Sequence, residues 1–148
     1  MASDSRADIE ALIPHRPPFL FVDRVVEREG DAIVTEWDVP EDLDCFRGHF
    51  PGKAVLPGVL ICEFVFQTGA LAIHSSEDER GAGLPVLTRI EDARFKKLVR
   101  PGERLRAAVE IVERLANARY LSAKVTSDGA TVLRMRCVLA HTVVERSG

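Results

Sequence analysis

His49, bracketed by Gly48 and by the turn residues Pro51 and Gly52, stands just upstream of Leu56-Pro57-Gly58-Val59-Leu60-Ile61-Cys62-Glu63-Phe64-Val65-Phe66-Gln67. The second segment reads as a helix that starts at Pro57 and covers residues 57–73, apolar almost all round and therefore buried. It still carries an ionisable Glu63 in its second turn, and a buried carboxyl group is rare enough to point to function. Gln67 lies one turn further on the same face and can orient that carboxyl through its amide. A neutral imidazole accepts a proton near pH 7, whereas a carboxyl on an apolar surface has its acid form favoured, so His49 and Glu63 make a base and an acid around one helix start. Pro57 has no N–H, so Gly58 carries the first free amide, a donor for a developing oxyanion, and its missing side chain permits close approach. The structural alternative is a loop histidine and a carboxylate held by a buried arginine.

The elements that must position this set are legible around it. Phe19 to Glu27 and Ala32 to Val39 read as a hairpin about Glu29-Gly30-Asp31. From Leu105 the apolar residues alternate as Leu105, Ala107, Val109 and Ile111, then Leu121, Ala123 and Val125, then Leu133, Met135, Cys137 and Leu139, with Ser127-Asp128-Gly129 as a turn. That is a long antiparallel meander. Leu84 to Val99 supplies another extended stretch ended by Arg100-Pro101-Gly102, and a short helix from Asp8 to Ile13 precedes the first strand. One long buried helix across a strongly curved antiparallel sheet is an α+β arrangement. Only His74 to Gly83 resembles a linker, so the 148 residues, 46% of them hydrophobic, are expected to form a single domain over 1–148.

Composition excludes several classes. Cys45, Cys62 and Cys137 are odd in number and lack CxxC spacing, which argues against a disulfide framework or zinc site and for packed thiols in a reducing cytoplasm. His74 and His141 have no metal-like spacing, so no metal is expected. The polar start of the chain has no signal-peptide h-region, and Glu63, Gln67, Gly58 and Gly69 disfavour residues 57–73 as a membrane span. Net charge is −3, but residues 1–50 hold twelve acids against five bases, while residues 89–106 hold seven bases against three acids. The acidic balance and the lack of an aromatic-interleaved basic stripe argue against nucleic acid.

The order Ile13-Pro14-His15-Arg16-Pro17-Pro18-Phe19-Leu20-Phe21-Val22-Asp23-Arg24, Gly48-His49-Phe50-Pro51-Gly52, Leu56-Pro57-Gly58 with Glu63 and Gln67, then Ala93-Arg94-Phe95-Lys96-Lys97 and Pro101-Gly102 resembles the Z-type 3-hydroxyacyl-acyl carrier protein dehydratases of bacterial fatty acid synthesis. The resemblance spans roughly residues 9 to 142 and favours the Z-type, because the isomerising A-type carries an aspartate in this motif. It implies a hotdog domain, a long central helix wrapped by a curved antiparallel sheet, and a homodimer whose two sites each combine residues of both subunits, with trimers of dimers as a further step. It implies no dissociable cofactor, since the substrate rides on the phosphopantetheine arm of acyl carrier protein. That acidic carrier would dock on the local basic patch, with Arg94, Lys96, Lys97 and Arg100 as candidates; the ordinary alternative is a solvated strand face.

Removing water from a 3-hydroxyacyl thioester requires taking a proton from C2 while protonating the hydroxyl that leaves C3, which fits His49 as base and Glu63 as acid. A histidine in both roles, with Glu63 holding a water or orienting substrate, fits equally well. His15, in Pro-His-Arg-Pro, reads as a bracing residue. The family's usual Glu-Ala-x-Ala-Gln is replaced here by Glu63-Phe64-Val65-Phe66-Gln67, Pro18 replaces a tyrosine, and Trp37 enters a more polar strand. Phe64 and Phe66 are therefore the residues expected to reshape the acyl tunnel, Phe66 bordering the catalytic face and Phe64 packing on the sheet or a partner. Competing readings are a hotdog acyl thioesterase, a hydratase acting on coenzyme A esters, and a non-catalytic acyl-carrier-binding module.

Overall fold

The computed structural model describes residues 4–75, 79 and 83–142, so most of the linker-like stretch between His74 and Gly83 lies outside it. The chain opens with a helix, α1 (Arg6–Leu12), followed by β1 (Arg24–Glu29) and β2 (Ala32–Asp38), a 3-10 turn (Asp44–Arg47) and the long helix α2 (Gly58–His74). Four long strands follow: β3 (Leu84–Phe95), β4 (Arg104–Leu115), β5 (Ala118–Ser127) and β6 (Ala130–Thr142). They form one antiparallel sheet in the order β1-β2-β4-β5-β6-β3, with α2 against its inner face.

Period-two alternation puts Leu105, Ala107, Val109 and Ile111 of β4, Leu121, Ala123 and Val125 of β5, and Leu133, Met135, Cys137 and Leu139 of β6 on that face, all buried. The β5–β6 turn is tight because Asp128 and Gly129 both have positive φ, 49° and 78°. Helix and sheet approach closely at Gly69, where a Cβ would lie 2.4 Å from Leu121 Cδ1 and 3.2 Å from Leu139 Cδ1. Both leucines are fully buried, so Gly69→Ala is expected to destabilise the fold by about 1–3 kcal/mol through overpacking, read as a lower urea midpoint at unchanged slope.

Several sequence-based boundaries move, each for a local reason. α1 begins at Arg6 rather than Asp8, because Ser5 caps it and forms a capping box with Asp8. Pro57 is the N-cap of α2 and not its first helical residue, with ψ at 133°. The first strand begins at Arg24, not Phe19, since the amide of Phe21 donates to Gln67 Oε1 at 2.8 Å instead of to a neighbouring strand. β3 stops at Phe95, short of Val99, and unlike the other long strands shows no buried face. It is a sheet edge whose Val86, Leu87, Ile90 and Phe95 remain exposed. Among the described residues no helix is long and apolar enough to cross a membrane, and no group of three potential ligands could hold a metal ion.

Candidate active site

The loop before α2 fixes His49 by backbone hydrogen bonds. Phe50 and Lys53 exchange bonds of 3.1 and 2.9 Å across a turn that Gly52 permits with φ at +74°, and Val55 N–H donates to His49 O at 3.0 Å. The His49 ring then lies with Nδ1 2.7 Å from Val55 O. A carbonyl only accepts, so Nδ1 carries a proton, and in the neutral ring Nε2 is then the nitrogen with the free lone pair, the form required of a base. The ring stacks on Phe50 with centroids 4.1 Å apart.

His49 opens onto a pocket of about 430 Å³ lined by Gly58, Ile61, Phe95, Lys96, Lys97 and Leu98 among others. At the start of α2 the amides of Leu60 and Ile61 already point to Pro57 O, whereas that of Gly58 has no partner among the described residues. It remains available to an anionic oxygen at a helix N-terminus. The bare Cα of Gly58 is covered by a side chain of the same chain: a Cβ there would lie 3.0 Å from Cζ of Phe95. Phe95, half-exposed and given no site role when its motif is read in the sequence, is thus a wall of this pocket.

Glu63 faces elsewhere. It lies two residues beyond Ile61, about 200° round the helix, and is absent from the lining of the His49 pocket. Its neighbours are Gln67, whose Nε2 donates to Oε2 at 3.0 Å, and His15, whose Nε2 is 4.0 Å from the same oxygen. Burial holds the Glu63 carboxyl above the ordinary carboxylate range, against the opposing donation from Gln67. Gln67 is fully buried and also binds Phe19 O at 3.1 Å and Phe21 N–H, so one amide clamps the loop before β1 to the helix. His15, expected as a bracing residue in Pro-His-Arg-Pro, thus lies beside the Glu63 carboxyl; no local signal reveals an approach to an element so distant in sequence.

Phe64 is fully buried, its ring 5.8 Å from Trp37, which in turn lies 5.0 Å from Phe21. That removes Phe64 from the tunnel set and explains Trp37 as its packing partner. Phe66 is partly buried, three residues from Glu63, and remains on the carboxyl's side of the helix. Of the candidate docking cations, Lys96 and Lys97 line the His49 pocket, Lys97 pairs with Glu103 at 3.8 Å, and Arg94 pairs with Asp92 at 3.3 Å. Arg100 is exposed and donates its backbone amide to Glu103.

A single sheet around a central helix, with a histidine loop at the helix start and a carboxyl in its second turn, is the hotdog arrangement. Comparison with known proteins agrees. The Dehydratase Heterocomplex ApeI:P from Xenorhabdus doucetiae shares the fold at a TM-score of 0.75 and 15% identity over 90% of both chains. The PaaI protein of E. coli does so at 0.63 and 14% identity, covering 79% of this chain and 81% of that one. Residues 13–136 match the FabA-like domain, and the chain belongs to that family. Curated relatives named 3-hydroxyacyl-acyl-carrier-protein dehydratase FabZ include that of Solibacter usitatus, 43% identical over 136 residues, covering 90% of this chain and 83% of the relative. That of Staphylococcus saprophyticus is 47% identical over 122 residues, covering 82% and 83%.

Proposed function

We infer that this protein dehydrates 3-hydroxyacyl thioesters carried on acyl carrier protein, giving trans-2-enoyl thioesters for fatty acid or related lipid synthesis. The observation that carries the reading is a base-ready His49 Nε2 in a pocket that also offers the Gly58 amide and basic side chains. His49 Nε2 takes the C2 proton as charge develops on the thioester oxygen against Gly58 N–H. The C3–O bond then breaks and the Glu63 acid gives its proton to the departing hydroxyl, forming water. Release of the histidine's proton and reprotonation of the carboxylate complete the cycle. No electron changes hands, so no redox cofactor is needed, and the acyl group arrives on the carrier's phosphopantetheine arm.

Within one chain His49 and Glu63 face different sides of α2, so the working site is built between two copies. The exposed edge strand β3 with Val86, Leu87 and Ile90, together with exposed Val59, Phe95 and Leu98 near the helix start, is the surface that supports a homodimer. Trimers of dimers extend the same assembly. The free state of Cys45, Cys62 and Cys137 supports a cytoplasmic setting.

Carrier docking is supported by charge. In the strand register Arg94 lies opposite Arg134, and Arg134 opposite Lys124, a row of like charges that an anionic partner would relieve. Arg134 and Lys124 are invisible as a patch in the sequence because they come from separate strands. Reversing Lys96 and Lys97 to Glu is expected to raise KM for the carrier-borne substrate several-fold, with less effect on an N-acetylcysteamine thioester, and the gap should close as salt is added. Equal effects on both substrates would place the damage in the site.

The reaction itself is tested by incubating the protein with 3-hydroxyacyl thioesters on carrier protein and on coenzyme A. Growth of conjugated enoyl absorbance without free thiol supports dehydration. Thiol release would make the protein a thioesterase, equal turnover of both esters a general hydratase, and carrier binding without turnover a binding module.

A further inference from the structure

The carboxyl of Glu63 is approached unevenly. Gln67 Nε2 at 3.0 Å and His15 Nε2 at 4.0 Å both address Oε2, while Oε1 has no partner among the described residues. The segment that carries His15 is held firmly. The Arg16 guanidinium donates to the carbonyls of Ile13, His15 and Glu10 at 2.9, 2.7 and 2.8 Å, and Gln67 ties the same segment to α2 through Phe19 and Phe21. His15 Nδ1 is buried and has no hydrogen-bond partner. A buried N–H without an acceptor is costlier than a bare lone pair, which leaves the proton on Nε2 and the ring neutral. Burial and the nearby Arg16 both disfavour the charged imidazolium, in the same sense.

We propose that His15 is a positioning residue for Glu63: its Nε2–H, with the Gln67 amide, reserves Oε2 as an acceptor and so places the transferable proton of the acid form on Oε1. The inference rests on the reading of Glu63 as the group that protonates the leaving hydroxyl. The 4.0 Å separation is longer than a hydrogen bond, and catalytic contacts of this kind shorten when substrate fills the site. Without His15 the carboxyl can turn about its terminal bond, and the acid proton loses its direction. Within the same chain and among the described residues, the other titratable side chain beside the carboxyl is the Cys62 thiol, which burial pushes up and keeps neutral.

The test uses His15→Leu, which removes the donor at similar size, and His15→Gln, whose amide nitrogen reaches about as far as Nε2. Leucine should lower kcat by about tenfold to a hundredfold while KM for the carrier-borne substrate changes less than about threefold, and glutamine should restore most of the loss. An independent readout follows the Glu63 carboxyl directly, as the infrared carboxyl band or carbon-13 resonance that disappears in Glu63→Gln. Its titration should move to higher pH in His15→Leu, because a donor to the carboxylate form is lost, and return in His15→Gln. A titration unmoved in His15→Leu, or a shift that glutamine fails to reverse, overturns the proposal. Restored titration in a protein whose wild type makes no enoyl thioester would uphold the positioning and refute the dehydratase reading instead.

Discussion

His49→Ala is expected to lower kcat for enoyl formation by on the order of a hundredfold or more, about 2.7 kcal/mol in the barrier, while the fold is kept. The imidazole touches the rest of the protein through one hydrogen bond to Val55 O and a stack on Phe50, so its loss leaves the core intact. Glu63→Gln should cost a comparable factor for a different reason. Glutamine keeps the shape and can still accept from Gln67, but it has no proton of suitable acidity to give. Its stability should differ in a defined direction. Burial raises the folded carboxyl above the unfolded value, so this group's stabilisation is complete below the unfolded range and is lost as pH rises through the folded one. Glutamine does not titrate, and unfolding midpoints of the variant should therefore gain on the wild type between acid and neutral pH. Near-native turnover in either folded variant would remove that residue from the chemistry.

Phe64→Ala should be the most destabilising of the substitutions considered, by about 3–5 kcal/mol, because it empties a fully buried ring site between the helix and Trp37. For a domain of this size that corresponds to a fall in Tm of roughly 6–20 °C. The row of tilted rings Phe21, Trp37 and Phe64 leaves little freedom to collapse into the cavity, since each ring is wedged by the next. At temperatures where the variant is folded, its ratio of kcat/KM for short and long acyl substrates should stay unchanged. Phe66→Ala is expected to do the opposite, sparing stability and shifting that ratio toward longer chains. A shifted ratio in Phe64→Ala with native stability would return Phe64 to the tunnel.

Much of the fold was legible because period-two burial is written directly in β4, β5 and β6, where every inward apolar residue expected from the alternation is buried. The turn at Asp128-Gly129 was legible from its chemistry. β3 gave no such pattern, since the chain leaves it without a buried face and its apolar Val86, Leu87, Ile90 and Phe95 exposed. Phe19 to Asp23 looked like a strand because its composition is that of one, yet its backbone bonds go partly to a side chain of α2. The candidate site was legible as a cluster only where it is local. His49, Gly58, Glu63 and Gln67 fall within twenty residues and are tied to one helix, whereas His15 and the Phe95 wall arrive through tertiary folding. The opposite facing of His49 and Glu63 within one chain also needed coordinates, because it depends on how the loop returns to the helix start.

Subunit mixing tests most directly whether one His49 and one Glu63 from different chains make the dehydration site. Inactive His49→Ala and Glu63→Gln proteins, exchanged in equal amounts, should form hybrid dimers in half of the population, each with one intact site and one doubly damaged site. Activity on the carrier-borne 3-hydroxyacyl substrate should then recover to about a quarter of the wild-type rate. No recovery after subunit exchange has been verified would mean that each chain carries a complete site of its own, contradicting the shared arrangement.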